Sequence, residues 1–197
     1  MEEYAPKTAA HTDLTKEIPM PANLEELIVN IPDFPKPGII FRDVTPVFGS
    51  AEGLKAMTDL LAQRYSGKGI TKVVGAESRG FMVGAPLAYA MGVGFVPARK
   101  PGKLPREVLS ESYELEYGTD ELQIHTDALT SEDVVLLVDD LLATGGTAAA
   151  QARLVQQTGA RIVGVAFLIE LTDLGGRAKI KQATDAEIYS ILQATEE

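Results

Sequence analysis

Apolar residues along this chain fall into two rhythms. Short, nearly unbroken apolar runs occur at Lys72–Ala76, Gly94–Ala98, Val134–Val138 and Arg161–Ile169. Such runs read as strands buried on both faces, because a half-exposed strand alternates apolar with polar. Between them lie segments with helical spacing. Leu54, Met57, Leu60 and Leu61 recur behind Ser50, a residue suited to capping a helix. Gly80–Met91 and Thr147–Thr158 read as helices, the first rich in small residues. Leu24, Leu27, Ile28 and Ile31 behind Asn23 predict one more short helix. Strands alternating with helices predict an α/β fold of βαβ units around a mostly parallel sheet.

Three stretches follow neither rhythm. Residues 31–48 hold Pro32, Pro35, Pro37 and Pro46, a density that predicts an ordered loop rather than a helix or a central strand. Residues 107–125 alternate like an exposed hairpin. Residues 1–22 are polar and aperiodic and predict a loose tail, leaving residues 23–197 as a single domain.

Composition narrows the chemistry. A chain of 197 residues is long enough to bury most of its unfolded surface without disulfides or metal staples. It has no cysteine and two histidines, His11 and His125, far apart. Thiolate chemistry and a multi-histidine metal site are excluded, which leaves carboxylates, lysine, arginine, backbone amides or a borrowed cation. The 18 basic and 28 acidic residues give a net charge of −10. That balance argues against a nucleic-acid binder, which needs a basic face, yet it permits a small anionic substrate in a locally basic cleft. No apolar run approaches the ~20 residues of a membrane span. The first residues lack the apolar core of a secretory signal, so the expected compartment is the cytoplasm.

The strongest chemical signal is VVLLVDDLLATGGTAAA, Val134–Ala150. A buried strand ends in two acids, and a Gly-Gly turn then opens a helix. Ligands of open α/β sheets bind at the carboxyl ends of the strands. A glycine-rich turn before a helix offers free amides and a positive dipole end to a phosphate. Asp139 and Asp140 beside that turn suit the hydroxyls of a sugar. The constellation reads as a site for a ribose 5-phosphate. A helix cap would account for one acid or one threonine, but not for both acids, the buried strand and TGGT together. Gly75 to Gly80 is followed by Phe81 where a phosphate-binding P-loop needs lysine, and no G-x-G-x-x-G follows any strand.

Residues 99–106, RKPGKLPR, carry Arg99, Lys100, Lys103 and Arg106 with no acid. By itself this is a solvated basic loop; beside a phosphate site it reads as a lid. Phe41, in the proline-rich segment, is either a buried anchor or a ring that stacks a purine.

DVVLLVDDLLATGGT resembles the phosphoribosyl pyrophosphate signature of type I phosphoribosyltransferases. IPDFPKPGIIFRDVTPVF, GAESRGF, RKPGKLP and SYELEYG together resemble segments of the adenine phosphoribosyltransferases, and the likeness runs from about Asn23 to the C-terminus. The resemblance implies the type I fold: a mostly parallel central sheet flanked by helices, a small hood from the N-terminal segment and a flexible lid loop. It implies the reaction of adenine with phosphoribosyl pyrophosphate to give AMP and pyrophosphate. Ala143, Thr144, Gly145, Gly146 and Thr147 are then expected to hold the 5-phosphate, and Asp139 and Asp140 the ribose. Glu77, Ser78, Arg79 and Gly80 would lie at the pyrophosphate, with a cis peptide in that turn. Arg79, Arg99, Lys100 and Lys103 would neutralise phosphate charge. Glu116 would manage the purine proton and Tyr117 would close over the site. Ile40, Phe41 and Arg42 would meet the base, with Leu171 on its other face. Mg2+ is expected, held mainly through the substrate's pyrophosphate and ribose, and the family is usually a homodimer. Two other readings stay in view: a type I transferase for guanine, xanthine or orotate, and a non-catalytic regulator that binds nucleic acid.

Overall fold

In a computed structural model, residues 24–114 and 118–195 are described. Five parallel strands form the central sheet: β3 (Lys72–Ala76), β4 (Gly94–Ala98), β7 (Val134–Leu142), β8 (Arg161–Leu171) and β9 (Glu187–Ala194), in the order β4-β3-β7-β8-β9. Two antiparallel hairpins flank it. One pairs β1 (Val29–Pro32) with β2 (Ile40–Asp43). The other pairs β5 (Val108–Glu114) with β6 (Thr119–His125).

The apolar run of β7 is explained by a core on each side of the sheet. Val135 and Leu137 pack on one face with α4 (Gly146–Gln157), α5 (Gly176–Lys181) and the β5–β6 hairpin. Leu136 and Val138 pack on the other with α1 (Thr45–Gly49), α2 (Ala51–Arg64) and α3 (Gly80–Met91). Successive residues point to opposite faces, so each of Val135, Leu136, Leu137 and Val138 meets a core. The helices after β3 and β7 lie on opposite faces, and the chain turns away in opposite directions from these neighbouring strands. A crevice must open at their carboxyl ends.

The predicted strands Lys72–Ala76 and Gly94–Ala98 and the helix Gly80–Met91 have the expected bounds. Ser50 caps α2, its Oγ accepting the Gly53 N–H at 3.1 Å. Other expectations need correction. The proline-rich segment is not all loop: Pro32 ends β1, which pairs on one side only, and Pro46 sits in the first turn of α1, where no helical amide is lost. The helix expected over Leu24–Ile31 is one 3-10 turn, Leu24–Leu27, after which Ile31 enters β1. Strands β7 and β8 continue to Leu142 and Leu171, so the acid pair lies within β7 rather than at its end.

Candidate active site

The chain leaves β3 through Glu77–Arg79 and enters α3 at Gly80. The Glu77–Ser78 peptide is cis. The Glu77 N–H donates to Ala98 O at 2.8 Å, which ties the turn to the end of β4. From this turn Arg79 reaches β7, where its Nε donates to the Asp140 carboxylate. The same guanidinium lies 5.6 Å from the centroid of the Phe41 ring on β2. One arginine therefore joins the turn, the acid pair and the N-terminal hairpin.

Asp139 and Asp140 are neighbours on a strand, so their side chains diverge. Asp140 is buried against Arg79. Asp139 is pressed against Gly80, where a Cβ would come within 2.8 Å of its Oδ1, and that oxygen accepts the Asp140 N–H at 2.9 Å. Burial, and after it the charge of Asp140, pushes the Asp139 carboxyl well above the usual carboxylate range. Beyond Leu142 the chain turns through Gly145, whose φ of 79° is left-handed, and begins α4. No side chain caps that helix. Residues Leu141–Ala148, with Asp139 and Phe167, line a pocket of about 80 Å³. A pocket at an uncapped helix start is built for an anion.

This pocket adjoins a larger cleft of about 580 Å³. Glu77, Ser78, Arg79, Lys100, Asp139, Asp140, Ala143 and Thr147, from three distant parts of the sequence, line it together. Arg99 flanks the turn, with Nε 3.1 Å from a Glu77 oxygen. That hydrogen bond, with the Lys100 N–H, holds the Glu77 carboxyl below its usual value. Lys103 is exposed, its charge also felt by Glu77, and Arg106 pairs with Asp127.

Thr144, Gly145 and Gly146 line the smaller pocket rather than the cleft. Ile40, Phe41 and Arg42 stand on β2, reached from the cleft through Arg79. The Arg42 side chain turns away to the chain end, Nη2 donating to Thr195 O at 2.6 Å. Leu171 is buried at the end of β8 and does not line the cleft. Glu116 and Tyr117 lie outside the described residues.

Tyr113, Asp120 and Leu141 also line the cleft, and sequence reasoning did not single them out. Closing the hairpin around Gly118 would have found the first two, since Tyr113 then faces Asp120. The phenol donates to Asp120 Oδ2 at 3.2 Å. Burial raises the Tyr113 phenol, against a hydrogen bond from Thr147.

Residues 49–194 match the phosphoribosyl transferase domain family. The adenine phosphoribosyltransferase of Aeromonas salmonicida is 58% identical over 160 residues, which cover 81% of this chain and 88% of that protein. A crystal structure of the adenine phosphoribosyltransferase of Thermoanaerobacter pseudethanolicus superposes with a TM-score of 0.82 at 50% identity, covering 87% of this chain and 99% of the other. The Saccharomyces cerevisiae enzyme, complexed with adenine and an imino-altritol bisphosphate, matches at 40% identity with a TM-score of 0.79, covering 85% and 95%.

Proposed function

This chain belongs to the adenine phosphoribosyltransferases, within the phosphoribosyl transferase family, and we propose that it transfers the 5-phosphoribosyl group of phosphoribosyl pyrophosphate to adenine, giving AMP and pyrophosphate in purine salvage. The observation that carries this reading is the shared cleft. Residues 77–79, Lys100 and the stretch from Asp139 to Thr147 converge on one volume, with Thr144, Gly145 and Gly146 in the pocket that adjoins it, and each brings the chemistry of a different part of the sugar substrate.

The loop before α4 takes the 5-phosphate on its amides and on Thr144 and Thr147. Asp139 and Asp140 accept from the ribose hydroxyls. Arg79 and the basic residues Arg99, Lys100 and Lys103 face the pyrophosphate, where negative charge grows as the bond to C1 breaks. No protein nucleophile is needed: the ribosyl carbon moves from pyrophosphate to N9 through an oxocarbenium-like state, and the protein contributes alignment and fixed charge. Glu116 is assigned the purine proton, whose departure from N9 frees the attacking lone pair, and Tyr117 the closing of the site. Phe41 stacks on the base, backbone groups of Ile40–Arg42 read its edge, and Leu171 backs the other face. The engagement of the Arg42 side chain with Thr195 supports backbone rather than side-chain readout.

Mg2+ enters this reading with the substrate. Among the described residues no three His, Asp or Glu converge as a metal cage. Mg2+ is habitually carried on substrate phosphates and water with one or two carboxylates, and Asp139 and Asp140, which line the cleft, would supply the latter. Bound there, the ion would neutralise charge on the departing pyrophosphate. Among the described residues no helix is long and apolar enough to cross a membrane.

The test is a product assay with phosphoribosyl pyrophosphate and each of adenine, hypoxanthine, guanine, xanthine and orotate, with and without Mg2+. AMP formed from adenine in the presence of Mg2+ is expected. Efficient turnover of orotate or guanine in place of adenine, or no turnover at all, would overturn the assignment.

A further inference from the structure

Three cations around the cleft, Arg79, Arg99 and Lys100, are paired with acids. Arg79 holds Asp140, Arg99 holds Glu77, and the Nζ of Lys100 lies 3.0 Å from Asp120. Asp140 faces the ribose in the proposed reaction, and Glu77 belongs to the turn itself. Asp120 has no such task. It stands on β6 and lines the same cleft as Ala143 and Thr147 of the loop before α4.

Its surroundings are asymmetric. Asp120 is fixed from three sides: it accepts the Tyr113 hydroxyl at 3.2 Å, the Glu121 N–H at 2.9 Å and the Lys100 ammonium. Its side chain is 20% exposed, whereas that of Lys100 is 52% exposed. Burial raises the Asp120 carboxyl, but the Lys100, Glu121 and Tyr113 donors outweigh it and leave the group below its usual value, hence ionised. The acid is thus a fixed negative charge and the lysine the movable partner.

We propose that Asp120 is a specificity-determining residue, which by holding Lys100 keeps simple phosphate anions out of the cleft and yields the lysine to the substrate's diphosphate. The proposal rests on the reading of this cleft as the phosphoribosyl pyrophosphate site. A small anion that touches Lys100 must also sit within a few ångströms of the Asp120 carboxylate, and it has little else to offset that repulsion. The sugar diphosphate is held at the same time by the loop before α4, by the acid pair and by Arg79, so the same repulsion is a small share of its binding. Selectivity is a difference of affinities, and a repulsive element aimed at the wrong ligand is one way to obtain it. A half-exposed ion pair is weak enough to be exchanged for a polyanion.

Asp120→Asn tests this: it removes the charge, its amide oxygen at the Oδ1 position still accepts the Glu121 N–H, and its amide nitrogen at the Oδ2 position donates to the Tyr113 hydroxyl oxygen instead of accepting from it. Inorganic phosphate is the probe, read as inhibition of AMP formation and as direct binding by calorimetry at constant ionic strength. The phosphate concentration for half-inhibition should fall about fivefold, the scale of one partly exposed charge pair, and calorimetric affinity should rise alike. KM for phosphoribosyl pyrophosphate should move less than phosphate affinity does. In a Lys100→Met background the effect of Asp120→Asn on phosphate should vanish, which a merely structural role for Asp120 in the hairpin would not produce. Equal phosphate affinity in wild type and Asp120→Asn, or a change that persists without Lys100, would overturn the proposal. A wild type that forms no AMP would instead refute the reading of the cleft, and the calorimetric comparison would still decide the role of Asp120.

Discussion

Asp139 carries its proposed ribose-binding role at a cost to folding. Its carboxyl is half-buried against Gly80 and next to the charge of Asp140, and its ionisation is raised well above the ordinary value. A carboxyl with a raised folded-state pKa binds protons more readily folded than unfolded. Stability therefore falls as pH rises from the ordinary carboxylate value through the raised one, and at neutral pH the ionised group is a liability. Asp139→Asn retains the acceptor for the Asp140 N–H and removes that liability. Its melting temperature should exceed that of wild type at pH 7, by about 2–4 °C for each kcal/mol recovered in a chain of this size. The gain should shrink to nothing as pH drops below the ordinary carboxylate range. The same variant should use phosphoribosyl pyrophosphate poorly. Calorimetric melts from pH 4 to pH 8 with parallel kinetics check both halves; a variant less stable at pH 7 would contradict the account.

Residues of this kind were legible in the sequence because they are contiguous. Asp139, Asp140 and Ala143–Thr147 sit on one strand and the turn after it, so spacing alone places them in one site. Tyr113 and Asp120 are seven residues apart and meet only because β5 and β6 pair across Gly118. Nothing in either residue alone marks it as part of a cleft.

At the scale of elements, the end of the chain was the least legible part and bears on the site. β9 is an edge strand of half-exposed positions, so it shows neither an apolar run nor a clear alternation. α5 spans six residues, too few to display a period. Yet α5 begins against the loop before α4: a Cβ on Gly176 would collide with the Ala143 carbonyl oxygen, and one on Gly145 with the Gly176 carbonyl. A two-pronged pair holds the helix there. Arg177 donates from Nε and Nη2 to the two oxygens of buried Glu170, at 2.7 and 2.6 Å, and from Nη1 to Ile188 O at 3.0 Å. This links α5 to β8 and β9. Gly176→Ala should push the loop off its position and raise KM for phosphoribosyl pyrophosphate about tenfold, roughly the effect of one lost hydrogen bond to a charged group. KM for adenine should change much less. Initial-rate kinetics with each substrate varied in turn would show it, and equal increases in both constants would mean a general loss of structure instead.

On the scale of the whole molecule, the net charge of −10 makes two copies repel unless they meet through an uncharged face. α3 offers one. Its 12 residues, GFMVGAPLAYAM, contain no charge, and its outer side leaves Met82 39% and Tyr89 88% exposed. A large aromatic ring left almost wholly in water, on a helix without charge, gives a second copy an apolar face to cover. An isologous contact, in which the same patch meets itself across a two-fold axis, needs no other complementary surface. These features are the ground on which we propose a homodimer with α3 at its axis. The helix starts at Gly80, next to Arg79, so a partner pressing on it would also steady the turn through Glu77, Ser78 and Arg79. Met82→Lys with Tyr89→Glu should yield a folded monomer whose kcat/KM for phosphoribosyl pyrophosphate is lower than that of the dimer. Sedimentation velocity and kinetics at matched micromolar concentrations test both points. A wild type that sediments as a fully active monomer would remove the dimer, and a double variant that still dimerises would move the contact away from α3.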